Sequence, residues 1–451
     1  MKRIAVIGSG ESGTGAALLA KAKGYDVFVS DNGTLKEKYK KELVLEGIAF
    51  EEGGHSTDKI LTANAVIKSP GVPEKADIIK KVREAGIPVI DEIEFAWNER
   101  GRGKVIAITG TNGKTTTTLL TYHLLKSAGF RVALAGNVGE SFARKVLSGP
   151  HDWYVLEISS FQLDGTIKFH PEVGILLNIT PDHLDRYEYK MENYIDSKFR
   201  LTANMNDKDF FIYYSDDPVA GSEVRKRKIR ASPLAVSFSD ARGAAYASGS
   251  LMTFNVKGKK FTLDQAETTL KGKHNLINTM AAVTAALLAG VVESDIRESL
   301  RIFRNAPHRL EPVATLNGVD FVNDSKATNV DSVVYALGSF DRPLVWIAGG
   351  LDKGNDYNLI KDLVKQRVKA LVCLGKDNAK LRSSFSGTLK NIFETSRVEE
   401  AVDLALKSSD PGDVVLLSPA CASFDLFKNY EDRGEQFKKA VLEKKRKLEA
   451  V

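Results

Sequence analysis

The stretch VIAITGTNGKTTTT, Val105 to Thr118, decides how this chain is read. An apolar run enters a Gly-rich turn and leaves as a Thr-rich helical segment, the strand–loop–helix order of a phosphate-binding loop. The spacing is irregular, however. A P-loop asks for Gly, four residues, then Gly-Lys-Ser/Thr. Gly113-Lys114-Thr115 supplies the second half, but the first Gly would fall at Ile108, inside the strand, and the nearest preceding glycine is Gly110. The run is chance, a degenerate P-loop or a distinct phosphate loop, and its surroundings must choose between them.

Working outward, DWYVLE ends on Glu157, where a metal-organising carboxylate is needed to complete a triphosphate site. Alone, Glu157 reads as a surface acid at a strand end. Beside a loop offering Gly110, Thr111, Asn112, Gly113, a Lys114 cation and Thr115 and Thr116 hydroxyls, it reads as part of the same site. A second glycine loop follows RIAVI near the amino terminus. Gly8, Gly10 and Gly13 make G-x-G-x-x-G, with Asp31 ending the next strand about 20 residues on. This loop predicts a diphosphate or dinucleotide site at a helix N-terminus, or a tight turn that binds nothing.

The chain has 451 residues, too many for one core, and three domains are expected. Strand and helix signals alternate from Lys2 to about Trp97. A polar break, ERGRGK at Glu99–Lys104, precedes the second strand–loop–helix unit, and the Pro-containing FRNAPHRLEPV opens a third. The expected fold is α/β throughout, with an N-terminal Rossmann-like domain over 1–99, a central P-loop-type ATP-binding domain over 100–305 and a C-terminal Rossmann-like domain over 306–451.

Hydrophobic content of 43% and charged content of 27% are globular values, and no apolar run nears the ~20 residues of a membrane helix. The basic start runs into a glycine turn, so it reads as a first strand and not as a signal peptide. Cys373 and Cys421 make neither a disulfide framework nor a multi-Cys zinc site, so a soluble cytoplasmic chain is expected. The net charge of +6 is mild. Its densest basic run, RKRKIR at Arg225–Arg230, has no interleaved aromatics, which points to a solvated face and away from nucleic acid.

GTNGKTTT, LEISSFQL, NITPDHLDRY, KGKHNLIN, PHRLE, NDSKATN, GGLDKG and SPACASFDLF occur in this order across nearly the whole chain, and together they resemble the Mur ligase family. NDSKATN and SPACASFDLF look most like its D-glutamate-adding branch. The resemblance implies an ATP-dependent acid–amino-acid ligase of peptidoglycan precursor synthesis. In it the γ-phosphoryl group of ATP activates a carboxylate as an acyl phosphate, which an amine attacks through a tetrahedral intermediate.

Each domain then has an implied ligand. The N-terminal domain holds the uridine diphosphate of UDP-N-acetylmuramoyl-L-alanine through Gly8, Gly10, Glu11, Ser12, Gly13, Asp31, Ser69 and Gly71. The middle domain holds ATP, with Lys114, Asn137, Glu157, His183 and Lys198 as catalytic positions. Magnesium, in two ions with manganese as an alternative, falls to Thr115, Glu157, His183 and a carbamylated Lys198. Asn275 and Asn278, three apart on one helix, are placed to read the adenine, although Asn275 equally suits a helix cap. Arg309 and Asp324 are the implied hinge arginine and ribose acid. Lys326, Thr328, Lys353, Ser423, Phe424 and Tyr430 are the implied D-glutamate positions. Small-molecule substrates, no nucleic acid, no membrane span and a monomer complete the expectation.

One rival is a nicotinamide-dependent dehydrogenase, from Gly8–Gly13 and Asp31, which leaves the second loop and Glu157 without a purpose. A P-loop GTPase or motor lacks its first glycine here. A related ligase for another amino acid, or a folylpolyglutamate ligase, is the nearer alternative.

Overall fold

The computed structural model describes residues 2–450. The first sheet takes β1 (Arg3–Ile7), β2 (Asp26–Ser30), β3 (Ala49–Glu51), β4 (Ala65–Lys68) and β5 (Val89–Asp91), all parallel in the order β3-β2-β1-β4-β5. This is the doubly wound arrangement, with the strand order reversing beside β1, where ligands of such sheets bind.

The second sheet has nine strands: β6 (Lys104–Thr109), β7 (Val132–Gly136), β8 (Trp153–Glu157), β9 (Val173–Leu176), β10 (Phe210–Tyr214), β11 (Ser232–Ser237), β12 (Ala245–Ser248), β13 (Leu251–Val256) and β14 (Lys259–Asp264). From β7 to β12 neighbouring strands run parallel, and β13 and β14 join antiparallel. The sequence explains the change. Val105–Thr109 is buried throughout, as a strand covered on both faces must be, whereas β13 alternates Met252, Phe254 and Val256 inward with Leu251 and Asn255 outward. Phe254 stacks on Phe261 of β14 at 4.9 Å, the cross-strand pair that holds this edge.

The third sheet is β15 (Glu311–Leu316), β16 (Val319–Asn323), β17 (Leu344–Ala348), β18 (Val368–Leu374), β19 (Asn391–Thr395) and β20 (Val414–Leu417), in the order β15-β16-β20-β17-β18-β19, parallel except for β15.

These three sheets make two compact units. One runs to Thr269 and again over Leu276–Phe303, and the other covers Leu270–Asn275 and the chain from Arg304 onward. The polar break near Glu99 separates two sheets but not two units, because the helix Glu92–Glu99 hooks into the second sheet's loops. Glu94 accepts from the amides of Ile167, Lys168 and Phe169, Glu92 from Ala143 at 2.5 Å, and Gly165 accepts from the Asp91 amide. Among the described residues no helix is long and apolar enough to cross a membrane. The basic run RKRKIR ends a helix, with Arg227 paired to Glu223 and Asp196.

Candidate active site

The loop after β6 turns on two glycines in the left-handed region, Gly110 (φ 147°) and Gly113 (φ 84°), and Gly113 caps the helix Lys114–Ser127. A side chain at Gly113 would meet the Asn278 Oδ1 at 2.5 Å, so only glycine lets the loop close on the helix Lys273–Ala289. The loop is fastened at its base: Thr111 N donates to the Asn178 carbonyl at 2.9 Å, and Asn112 N to Asn178 Oδ1 at 2.8 Å. The threonines that follow are poor helix formers, and Thr121 back-bonds to the Thr117 carbonyl, but the Thr117 hydroxyl tethers the helix by donating to Asn278 Oδ1 at 3.2 Å. The helix N-terminus therefore faces the loop's mouth as a ready anion site.

Two lysines converge on this loop. Lys114 Nζ donates to the Gly110 carbonyl at 2.8 Å, and Lys198 Nζ donates to the same oxygen at 2.9 Å. Lys198 is 2% exposed, so burial, with the Lys114 cation adding to it, drives its ammonium well below the usual lysine range. Glu157, also 2% exposed, accepts from Asn137 Nδ2 at 2.8 Å, while its other oxygen is buried without a hydrogen-bond partner. A buried carboxylate with one orphaned oxygen is a hard oxygen donor of the kind a magnesium ion takes. Among the described residues no three His, Cys, Asp or Glu side chains cluster as a metal shell, so phosphate and water oxygens would complete one.

His183 sits in a left-handed turn (φ 52°) with its ring against Phe161 at 5.1 Å. Burial, outweighing Asp182 and reinforced by Lys114, lowers its pKa and favours the neutral imidazole. Lys114, Asn137, His183 and Lys198 line one cleft of about 380 Å³ together with Pro70 and Gly71.

The Gly8 loop opens a second cleft of about 840 Å³, lined by Gly8, Gly10, Glu11, Ser12, Asp31, Ser69 and Gly71. Gly13 does not line it. A Cβ there would lie 1.8 Å from the Gly8 carbonyl, so Gly13 serves the close approach of helix and loop. Asp31 and Glu11 are already engaged. Asp31 accepts from Ser9 N at 2.7 Å, Ser9 Oγ at 2.6 Å and Gly33 N at 2.8 Å; burial opposes its charge, but these bonds prevail and lower its pKa. Glu11 pairs with Arg144 at 2.8 Å and accepts from Ser141 N. Both brace the loop. The two clefts share Pro70, Gly71 and Asn137, so they form one continuous surface from the Gly8 loop to Lys114.

In the other unit, Thr328, Lys353, Ser423, Phe424 and Tyr430 line a cleft of about 290 Å³, and Lys326 Nζ lies 5.1 Å above the Tyr430 ring. Asp324 is buried beneath, accepting from Ser418 Oγ at 2.9 Å and Leu310 N at 3.2 Å; burial pushes its pKa up to about 7, against the pull of these bonds and of Arg309. Asn275 Nδ2 donates to the Lys271 carbonyl at 2.8 Å, tying it into the helix's first turn.

Sequence reasoning missed Arg433, which is 1% exposed and donates to the Ser325 hydroxyl and carbonyl and to the Cys421 carbonyl, fixing the segments that carry Lys326 and Ser423. It lies in the first turn of the helix Tyr430–Glu449, in a charged stretch, and gives no sequence signal. Asn178, the loop's anchor in LLNITPDH, could have been found from its place at a strand end beside the loop.

Comparison with known proteins agrees with this geometry. Residues 3–78 match the MurD N-terminal domain, 108–286 the Mur ligase middle domain, and 308–421 the Mur ligase, glutamate ligase domain. The chain is 53% identical over 445 residues to the UDP-N-acetylmuramoylalanine--D-glutamate ligase of Cytophaga hutchinsonii, covering 98% of this chain and 99% of that protein. It is 51% identical to the enzyme of the same name from Bacteroides fragilis, with 98% and 100% covered. Its fold is similar to that of UDP-N-acetylmuramate-alanine ligase from Thermotoga maritima (TM-score 0.62, 19% identity, 99% and 100% covered) and to that of a pseudomurein peptide ligase type C from Methanothermus fervidus (TM-score 0.64, 19% identity, 99% and 100% covered). With a full-length relative above half identity and all three domain models matched in order, the chain belongs to the Mur ligase family.

Proposed function

We propose that this ligase adds D-glutamate to UDP-N-acetylmuramoyl-L-alanine at the expense of ATP, giving ADP and phosphate, in peptidoglycan precursor synthesis. The observation that carries the reading is the continuous surface from the Gly8 loop through Pro70, Gly71 and Asn137 to Lys114, which suits a long substrate with its diphosphate at one end and its reacting carboxylate at the other. The relatives' printed name supports the substrate pair.

A carboxylate does not acylate an amine in water until it carries a leaving group. The γ-phosphoryl group of ATP, held over the Gly110–Thr116 loop, passes to the substrate carboxylate; the amine of D-glutamate attacks the acyl phosphate, and phosphate leaves from the tetrahedral intermediate. Negative charge builds first on the phosphoryl oxygens and then on the oxyanion, so oriented cations do most of the work. Lys114 supplies one. The Thr115 hydroxyl and the Glu157 carboxylate would hold magnesium, which neutralises phosphate charge when bound. Asn137 keeps Glu157 oriented. The neutral amine that burial favours at Lys198 is the form that adds to carbon dioxide, N–C bond formation releasing one proton and leaving an anionic carbamate able to support a cation. His183 faces the same cleft.

Lys326, Lys353, Thr328 and Ser423 suit an amino acid with two carboxylates, with Tyr430 and Phe424 as its apolar walls. Asn275, Asn278, Arg309 and Asp324 are assigned to the nucleoside. The division into 1–99, 100–305 and 306–451, the monomer, the cytoplasmic setting and the choice of magnesium belong to the same proposal. An acceptor panel tests it. Phosphate release should require UDP-N-acetylmuramoyl-L-alanine and D-glutamate together; equal release with L-glutamate, or with a folate acceptor, would overturn it.

A further inference from the structure

The chemistry above occupies the carboxyl ends of the second sheet's strands. At their amino ends lies another cleft, of about 720 Å³, lined by the starts of β6, β8, β9 and β10 and by the tip of the β13–β14 hairpin. Its volume is that of a small-molecule site. Six cations and two carboxylates line it, and both carboxylates are committed. Asp152 is held by Arg131 at 2.7 Å, and Glu172 accepts from the Val105 amide at 2.6 Å with Arg100 beyond at 3.9 Å. Among the described residues, Arg102, Lys104, Lys208 and Lys257 make no ion pair, and all four are exposed. They come from three separate chain segments, so the fold gathers them. Two sit over aromatic rings of the same cleft: Lys104 lies 5.4 Å from Trp153, and Lys257 4.6 Å from Phe210. Four uncompensated cations around one concavity raise the local concentration of a multiply charged anion.

We propose that this cleft is a second anion site, binding a phosphate-bearing polyanion such as a polyphosphate or the triphosphate of a nucleotide. It is distinct from both glycine loops, from which the sheet's own length separates it. A concave site of this volume suits a compact ligand, whereas a nucleic-acid strand would need a longer basic track, and the nearby-in-sequence Arg227 is spent on Glu223 and Asp196.

Titration calorimetry of tripolyphosphate into the full chain carrying Lys114→Ala, which cripples the ATP loop, tests the proposal. Binding should persist in that background, weaken with added salt, and fall at least ~10-fold when Arg102→Glu and Lys208→Glu are added. Lys104→Gln with Lys257→Gln should weaken it in the same direction, and an unchanged melting temperature separates this from misfolding. ATP binding as tightly as tripolyphosphate assigns recognition to phosphate alone; tighter ATP binding assigns part of it to the base. Affinity unchanged by charge reversal, binding abolished by Lys114→Ala alone, or a single-stranded oligonucleotide that outcompetes tripolyphosphate would each overturn the proposal.

Discussion

The two glycine loops of the larger unit begin alike, each following a strand of a parallel sheet and opening a helix, yet they are built for different work. The Gly110 loop gathers ionisable groups: the Lys114 cation and the buried Lys198 amine on one carbonyl, and a buried carboxylate with an unpartnered oxygen. The Gly8 loop has no such cation. Among the described residues no lysine or arginine lines its cleft, and of its three acids Asp31 and Glu11 are spent on Ser9, Gly33, Ser141 and Arg144, while Asp77 pairs with Lys80. Charge in motion needs strong local fields, whereas a diphosphate that is only held can be met by backbone amides and hydroxyls.

This contrast can be broken most severely at Lys114. Lys114→Ala should lower kcat by about 10³-fold with little change in affinity for the uridine substrate, read by steady-state kinetics and direct binding; a loss mainly in substrate affinity would erase the distinction between the loops. Glu157→Gln keeps the Asn137 contact through its amide oxygen but removes the charge. Activity should drop by about 10²-fold and the magnesium concentration needed for half-activity should rise, while an unchanged magnesium requirement would remove Glu157 from the metal.

At the other loop the expected damage is structural. Gly13→Ala puts a methyl against the Gly8 carbonyl, costing about 2 kcal/mol of stability and raising KM for the uridine substrate more than KM for ATP. Equal effects on both would show that the loops are not independent.

The smallest effect concerns the seam between the two sheets. Burial pushes Glu92 up to about 8 and Asp91 to about 7, and each has a buried oxygen without a partner. Folded pKa values above the unfolded ones mean that the folded state binds the extra protons. Their stabilising contribution is therefore full below about pH 4 and is lost as pH rises through about 7 to 8. Glu92→Gln keeps a carbonyl for the Ala143 amide and should raise the melting temperature at pH 8.5 by about 2–4 °C, with no gain at pH 5. An equal gain at both pH values would mean that ionisation of Glu92 is not what costs stability.

Legibility followed the range of the interaction. Gly110, Gly113 and Lys114 could be read because a glycine turn into a helix is local: its glycines, its lysine and its helix start are consecutive. Glu157 was legible one step further, since a strand end in a parallel sheet lies beside its neighbours' ends. Arg433 was not, because its partners Ser325 and Cys421 are brought to it from distant segments. Gly13 was legible as a glycine but not as a packing residue, because the motif fixes the residue type and not the surface it meets.

The basic cleft extends the same lesson. Arg102, Lys104, Lys208 and Lys257 are unremarkable singly in the sequence, and the only basic run that stood out, RKRKIR, proved to be partly paired on a helix end. By itself the sequence determined the three α/β sheets, the two glycine loops and the family, since alternating strand and helix signals and short glycine spacings act within a few residues. Tertiary structure alone decided which acids are free to work and which are braces, why two sheets fuse into one unit, and where the unpaired cations collect. Burial and ion pairing depend on what the fold brings alongside, and that neighbourhood is written across the chain rather than in any one stretch of it.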